Sequence, residues 1–244
     1  MAPRSHAPIE RAIIHTRRCT ADELARHGRV PIAFRVERVL DPAVLARMAR
    51  QGAREHGRGA RRRASGFPPD AEHPVPRRWI KDYDVDPAER PLRWLQRWDL
   101  SAWRLLVAVD PRRGRRLGGL VLARGTDGLD MLEGRHDLAV IWDLRVRPGA
   151  RRRGVGSALV RAAIIRARNS GARELKVETQ NVNVPACHLY LHHGFALRIV
   201  RPGAYPALPD EVMLLWYRAL APARSGTMTV NAREGRAGAA SRRR

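Results

Sequence analysis

Short apolar runs broken by turn-forming residues dominate the second half of the chain. Residues 104–109 and 116–122 are two such runs, separated by Asp110, Pro111 and Gly114, and they predict a β-hairpin. Residues 137–146 predict a third strand. Over residues 157–168 the period changes: apolar side chains recur three and four positions apart, as on one face of a helix, and Asn169, Ser170 and Gly171 provide its stop. Residues 174–179 return to alternation. Pro185 then stands where a helix can begin, Gly194 where it ends, and residues 211–217 make a last strand. Upstream, residues 32–40 alternate with a period near two, and Asp41 and Pro42 open a short helix through Met48. Strands alternating with helices predict a mixed α/β sheet.

Residues 53–66, rich in Arg and Gly and followed by Pro68 and Pro69, lack apolar periodicity, so a flexible segment is expected over about 53–76. The tail after Pro222 has little to bury and is expected to be disordered. These breaks suggest three parts: an N-terminal strand and helix piece over 1–76, a main domain over 77–221 and a basic tail over 222–244.

With 244 residues, 44% of them hydrophobic, the chain can bury a core. No apolar run approaches the roughly 18 residues of a membrane span, and the N-terminal region lacks a signal-peptide pattern. A cytoplasmic protein with no membrane partner is expected. Cys19 and Cys187 are too few for a disulfide framework or a cysteine-rich zinc site, so both are expected to stay reduced. The net charge of +23 raises the question of nucleic acid. Its spread along the whole chain, almost entirely as arginine, favours a solvated basic surface over a binding stripe. A homodimer is an assembly this reading leaves open.

The turn between the strand at 137–146 and the helix at 157–168 contains Arg151, Arg152, Arg153, Gly154, Val155 and Gly156. A helix N-terminus offers unpaired N–H groups and partial positive charge to an anion, and glycines let the backbone approach it. Two nucleotide motifs are excluded by residue. Gly149 and Gly154 have P-loop spacing, but Val155 and Gly156 stand where its Lys and Ser/Thr belong. Gly154 and Gly156 could begin a dinucleotide fingerprint, yet its third glycine is Leu159.

Arg151-x-x-Gly154-x-Gly156 resembles the Arg/Gln-x-x-Gly-x-Gly/Ala turn of the GNAT acetyltransferases. About thirty residues on, Asn183, Ala186, Leu189, Tyr190, Gly194 and Phe195 match that family's second motif in order and spacing. Stretches 81–83, 130–134, 177–187 and 204–217 are similar to streptothricin acetyltransferases, enzymes that acetylate an amine of an antibiotic. The resemblance covers about residues 77–221. It implies a twisted, mostly antiparallel mixed sheet flanked by helices, with a splay between the strands at 138–146 and 174–180. It also implies acetyl-CoA as co-substrate, with no metal. The pyrophosphate would lie on backbone N–H groups of residues 151–157 (Arg151, Arg152, Arg153, Gly154, Val155, Gly156 and Ser157), and the pantetheine arm along Leu144, Arg145 and Val146. Asn183, Ala186 and Tyr190 complete the expected cofactor set.

Acetyl transfer to an amine needs a neutral nitrogen and a proton for the departing thiolate. The motif position implies Tyr190 as that acid. Asp143 is the first candidate for the base and Glu178 the second, with a water relay as the alternative. Asp127, Asp130, Glu133, Asp137 and Asp143 face only Arg135 in their stretch, an acidic exception in a basic chain that suits a cationic acceptor. Asp130, Glu133 and Tyr205 are therefore expected to bind a small amine. A protein amine acceptor and a basic nucleic-acid-binding module are the alternatives. His188 and His192 are expected as solvated or packing residues, Cys187 as a buried side chain, and Trp94, Trp98 and Trp103 as core and pocket wall.

Overall fold

The computed structural model describes residues 12–56 and 66–221. Its strands are β1 (Ile13–Arg18), β2 (Phe34–Leu40), β3 (Glu72–Lys81), β4 (Arg104–Val109), β5 (Arg116–Ala123), β6 (Leu138–Val146), β7 (Glu174–Gln180), β8 (Ala196–Arg201) and β9 (Met213–Ala219). The helices are α1 (Ala21–Gly28), α2 (Pro42–His56), α3 (Trp94–Arg97), α4 (Val155–Asn169) and α5 (Val184–His192), with 3-10 turns between several elements. Seven strands form one sheet in the order β1-β4-β5-β6-β7-β9-β8, while β2 and β3 form a separate ribbon. Only β6 and β7 pair in parallel in the seven-stranded sheet; its other pairs are antiparallel.

Both faces of the central strands are covered. Leu120, Leu122, Leu175 and Val177 pack with α2, α4 and α5, whereas Val121, Ala123 and Val140 pack with Leu24 of α1 and with Trp94 and Trp103. This double burial explains why β5 reads as an apolar run rather than an alternation. Gly119 allows α1 to come close. A side chain there would place its Cβ 2.7 Å from His27 Nδ1.

The strand and helix at residues 32–48, the hairpin and the elements from 137 to 217 appear as expected, with shifted bounds. Several others left no pattern. β1 is an edge strand exposed along most of its length, and α1 and β8 are short. The flexible segment expected over about 53–76 needs correction. Its residues 53–56 close α2, and residues 66–76 include the 3-10 turn Pro69–Ala71 and the start of β3, which runs unbroken across position 76. Its Pro74 and Pro76, which cannot donate to a ladder, are tolerated on a two-stranded ribbon whose register shifts between Val36 and Arg38. Residues 57–65 and the tail 222–244 lie outside the described residues. Among the described residues, no helix is long and apolar enough to cross a membrane.

Candidate active site

The site is created by an irregularity in β6. Val121 pairs with Asp143 and Leu122 with Ile141, so Trp142 is the extra residue of a β-bulge. Parallel pairing with β7 ends at Ile141 and Val177, although both strands continue. They splay as expected, and a cleft of about 850 Å³ opens between them. Arg147 N–H donates to the Leu117 carbonyl of the neighbouring chain segment (2.8 Å). By alternation, the backbone N–H groups of Leu144 and Val146 face the splay rather than β5.

At one end the cleft meets the turn before α4. Arg152 and Gly154 have positive φ (59° and 80°), and Gly154 is the residue from which α4 starts. Left-handed residues here turn successive N–H groups toward one concavity, next to the unpaired N–H groups of the helix. Nothing lies within 4 Å of a Cβ built on Gly154, so glycine is favoured there by φ and not by crowding. Arg151, Arg152, Gly154, Gly156 and Ser157 line the cleft. Val155 is buried in the core, and Arg153 reaches back to the Gly149 carbonyl (3.5 Å). A concavity of N–H donors at the start of a 15-residue helix with no acidic residue in its first turn fits a pyrophosphate.

α5 forms the floor. Asn183 caps it, accepting the Ala186 N–H through Oδ1 (3.3 Å), and both residues line the cleft. Asn181 serves differently: its Nδ2 donates to the Leu40 carbonyl (3.3 Å) and its Oδ1 accepts the Val212 N–H (2.9 Å). Tyr190 is buried with its ring 5.4 Å from Phe195, and it too lines the cleft. Burial pushes its hydroxyl well above the ordinary phenol range, so it holds its proton at neutral pH.

At the other end stands Glu178. Tyr205 Oη donates to its Oε1 (2.6 Å), Gln180 Nε2 donates to Tyr205 Oη (2.8 Å), and Tyr83 Oη donates to Gln180 Oε1. Burial raises the Glu178 carboxyl above the usual range, against the pull of the Tyr205 hydrogen bond. Trp94, Trp142, Tyr83, Phe34 and Met131 wall this end, with Glu89 at its edge.

Asp143, the first candidate for the base, is differently employed. Its Oδ1 is 2.7 Å from His27 Nε2, and Arg145 Nε donates to its Oδ2 (2.9 Å). Burial works to raise this carboxyl, but the charges and hydrogen bonds of His27 and Arg145 hold it below the usual carboxylate range. A buried carboxylate so committed is a poor proton acceptor. Arg145 continues the network to Asp84 (2.7 and 2.9 Å), so only its backbone remains for a ligand in the cleft.

The acidic stretch also needs correction. Asp130 and Glu133 line a second hollow formed by residues 125–136, and Glu133 accepts from Lys176 Nζ (2.8 Å) and Tyr217 Oη. Asp137 pairs with Arg135 (3.0 Å). Glu133 and Asp137 answer cations of the chain itself, and Asp130 lies in this second hollow and not in the cleft. Tyr205 does not line the cleft and meets it through Glu178 and Gln180. The alternation of β7 could have signalled Gln180, two residues from Glu178, and Tyr83 stood in the stretch 81–83 of the resemblance, but nothing in the sequence marked Trp142 as a bulge or brought Phe34 to this wall.

His188 Nε2 lies 3.0 Å from Glu72 with its ring edge-on to Phe67. Cys187 is buried, and burial pushes its thiol up to about 12, which leaves it inert. Trp94 is both core and cleft wall, joined to Trp142, while Trp98 and Trp103 stack behind.

Residues 74–195 match the family model described as Acetyltransferase (GNAT) family. Streptothricin acetyltransferase A of Bacillus subtilis (strain 168) is 37% identical over 81 residues, 32% of this chain and 47% of that protein. Streptothricin acetyltransferase of Streptomyces lavendulae is 48% identical over 71 residues, 29% of this chain and 38% of that protein. The matches thus span less than half the length of these two relatives. A streptothricin acetyltransferase from Bacillus anthracis str. Ames, described as putative and solved in complex with acetyl coenzyme A, superimposes with TM-score 0.59 at 21% identity, covering 86% of this chain and 99% of that one. A nourseothricin acetyltransferase gives TM-score 0.57 at 23% identity, with 85% and 99% covered. These two structures share the fold. With the family model matching half of its residues and its motifs meeting in one cleft, the chain belongs to the GNAT acetyltransferase family.

Proposed function

We propose that this protein is an acetyl-CoA-dependent N-acetyltransferase acting on a primary amine of a small cationic molecule, with the streptothricin antibiotics as its acceptor class. One observation carries the reading: a single cleft joins an anion-receiving turn, a buried phenol and a desolvated carboxylate. The names of the curated relatives support the acceptor class.

Arg152, Gly154, Gly156 and Ser157 would hold the pyrophosphate through their backbone, and Leu144 and Val146 the pantetheine arm. Acetyl-CoA, when bound, supplies the activated thioester. Glu178 takes the proton from the acceptor ammonium, a task suited to a carboxylate raised by burial. Trp142 and Tyr83, partly exposed in the cleft, receive the cation on aromatic faces, with Trp94 packed behind Trp142. Tyr190 gives its proton to the departing sulfur, as a buried neutral phenol can.

A thiol-release assay with acetyl-CoA over streptothricin, spermidine, free lysine and an unstructured lysine peptide tests this. Streptothricin is expected to give the highest kcat/KM. Turnover of the peptide alone would sink the small-amine reading.

A further inference from the structure

Arg151 opens the motif that faces the pyrophosphate, yet its guanidinium points elsewhere. Nε donates to the Val146 carbonyl (2.9 Å), Nη1 to Ala33 (2.8 Å) and Nη2 to Pro31 (2.9 Å). The group is partly desolvated, which lowers its pKa from the usual arginine value. Pro31 and Ala33 belong to the link between α1 and β2. Their neighbours Ile32 and Phe34 alternate with them and line the cleft. Phe34 packs on Tyr83 (ring centroids 6.0 Å apart), and Tyr83 donates to Gln180 beside the Tyr205–Glu178 pair.

We infer that Arg151 is a positioning residue for the acceptor wall, a staple that fixes residues 31–34 to the turn, and not a pyrophosphate ligand. This rests on the proposed acetyl-CoA reading of the same cleft. Three nitrogens of one planar fork each meet a backbone carbonyl, a geometry that an ammonium cannot reproduce. A phosphate ligand would instead need its charge, which lysine keeps. The turn and the wall therefore form one unit: the segment that receives the anion also sets the shape of the acceptor end.

The test compares wild type with Arg151→Lys, Arg151→Gln and Ile32→Ala. Calorimetry with coenzyme A, hydrogen exchange of residues 31–34 and the acceptor KM for the amine that wild type turns over are the readouts. Both Arg151 variants are expected to bind coenzyme A within about three-fold of wild type, to lose exchange protection at 32–34 and to raise acceptor KM roughly ten-fold. Lysine should not rescue. Ile32→Ala keeps the staple and removes one wall side chain, so it covers the case in which the Arg151 variants fail to fold; it should raise acceptor KM with coenzyme A binding unchanged. A ten-fold loss of coenzyme A affinity that lysine restores would overturn the inference, as would unchanged protection at 32–34 or an unchanged acceptor KM in Ile32→Ala. Failure of wild type to bind coenzyme A would instead remove the functional reading beneath it.

Discussion

Replacing Tyr205 with Phe deletes one hydroxyl from the chain that ends on Glu178. The ring stays, and the lost contact is the 2.6 Å donation to Glu178 Oε1, leaving Gln180 Nε2 at 3.4 Å as a long remaining donor. A hydrogen bond to a charged group is worth about 1.5–3 kcal/mol and one between neutral groups about 0.5–1.5 kcal/mol. The carboxylate therefore loses roughly 1 kcal/mol more than the carboxylic acid does, close to one pH unit at about 1.4 kcal/mol per unit. Tyr205 lowers the Glu178 pKa that burial has raised, so its removal moves the acid limb of kcat/KM upward. The assay is thiol release at saturating acetyl-CoA, with initial rates followed across the acid limb and plateau. On the plateau the variant should approach wild type, and on the limb it should fall up to about ten-fold below it. Glu178→Gln should remove the limb and most of the rate. An unmoved limb in Tyr205→Phe, or a uniform loss at every pH, would refute Glu178 as the base and Tyr205 as the group that tunes it.

Asp143→Asn takes the carboxylate from His27 and leaves Arg145 with Asp84 as its anion, and breaking a buried pair costs up to about 3–5 kcal/mol. Chemical denaturation should show that loss, while the acid limb of catalysis stays in place. The Asp143 carboxyl is depressed in the folded protein, so its contribution is present above the unfolded pKa and is lost as pH falls through the folded one. An acid titration of wild-type stability should accordingly fall in the region below about pH 4, and the Asn variant should lack that part of the fall. Asn183→Ala removes the side-chain cap of α5 and should cost about 1 kcal/mol in thermal unfolding, with weaker binding of coenzyme A.

The hairpin β4–β5, the helix α4 and the motif helix α5 were legible because each carries its own signal: turn residues, a 3.6-residue period, or a paired Asn183 and Tyr190. The splay also followed from the resemblance. β1 was not legible, since an edge strand with polar residues exposed along it has no apolar pattern to read. The start of β3 fell within the segment expected to be flexible from its Arg- and Gly-rich beginning. The candidate site divides in the same way. Its anion end is local in sequence, from Arg151 to Ser157, and could be read directly. The end proposed for the acceptor is assembled from residues 32, 34, 83, 89, 94, 142 and 178–180, which only the tertiary fold brings together. Charge misled for a related reason. Glu133 and Asp143 are acidic in sequence, but the distant Lys176 and His27 arrive in the fold to join Arg135 and Arg145, each two residues away, in pairing with them.

The claim that this turn receives the pyrophosphate of acetyl-CoA is tested most directly by isothermal titration of coenzyme A into wild type, Gly154→Asn and Gly154→Glu. Asparagine tolerates the left-handed conformation at this position and should keep both fold and affinity. The glutamate variant places a carboxylate at the anion site and should bind at least roughly ten-fold more weakly, about 1.4 kcal/mol, while still unfolding cooperatively. No saturable binding to wild type, or equal affinity in Gly154→Glu, would contradict the account.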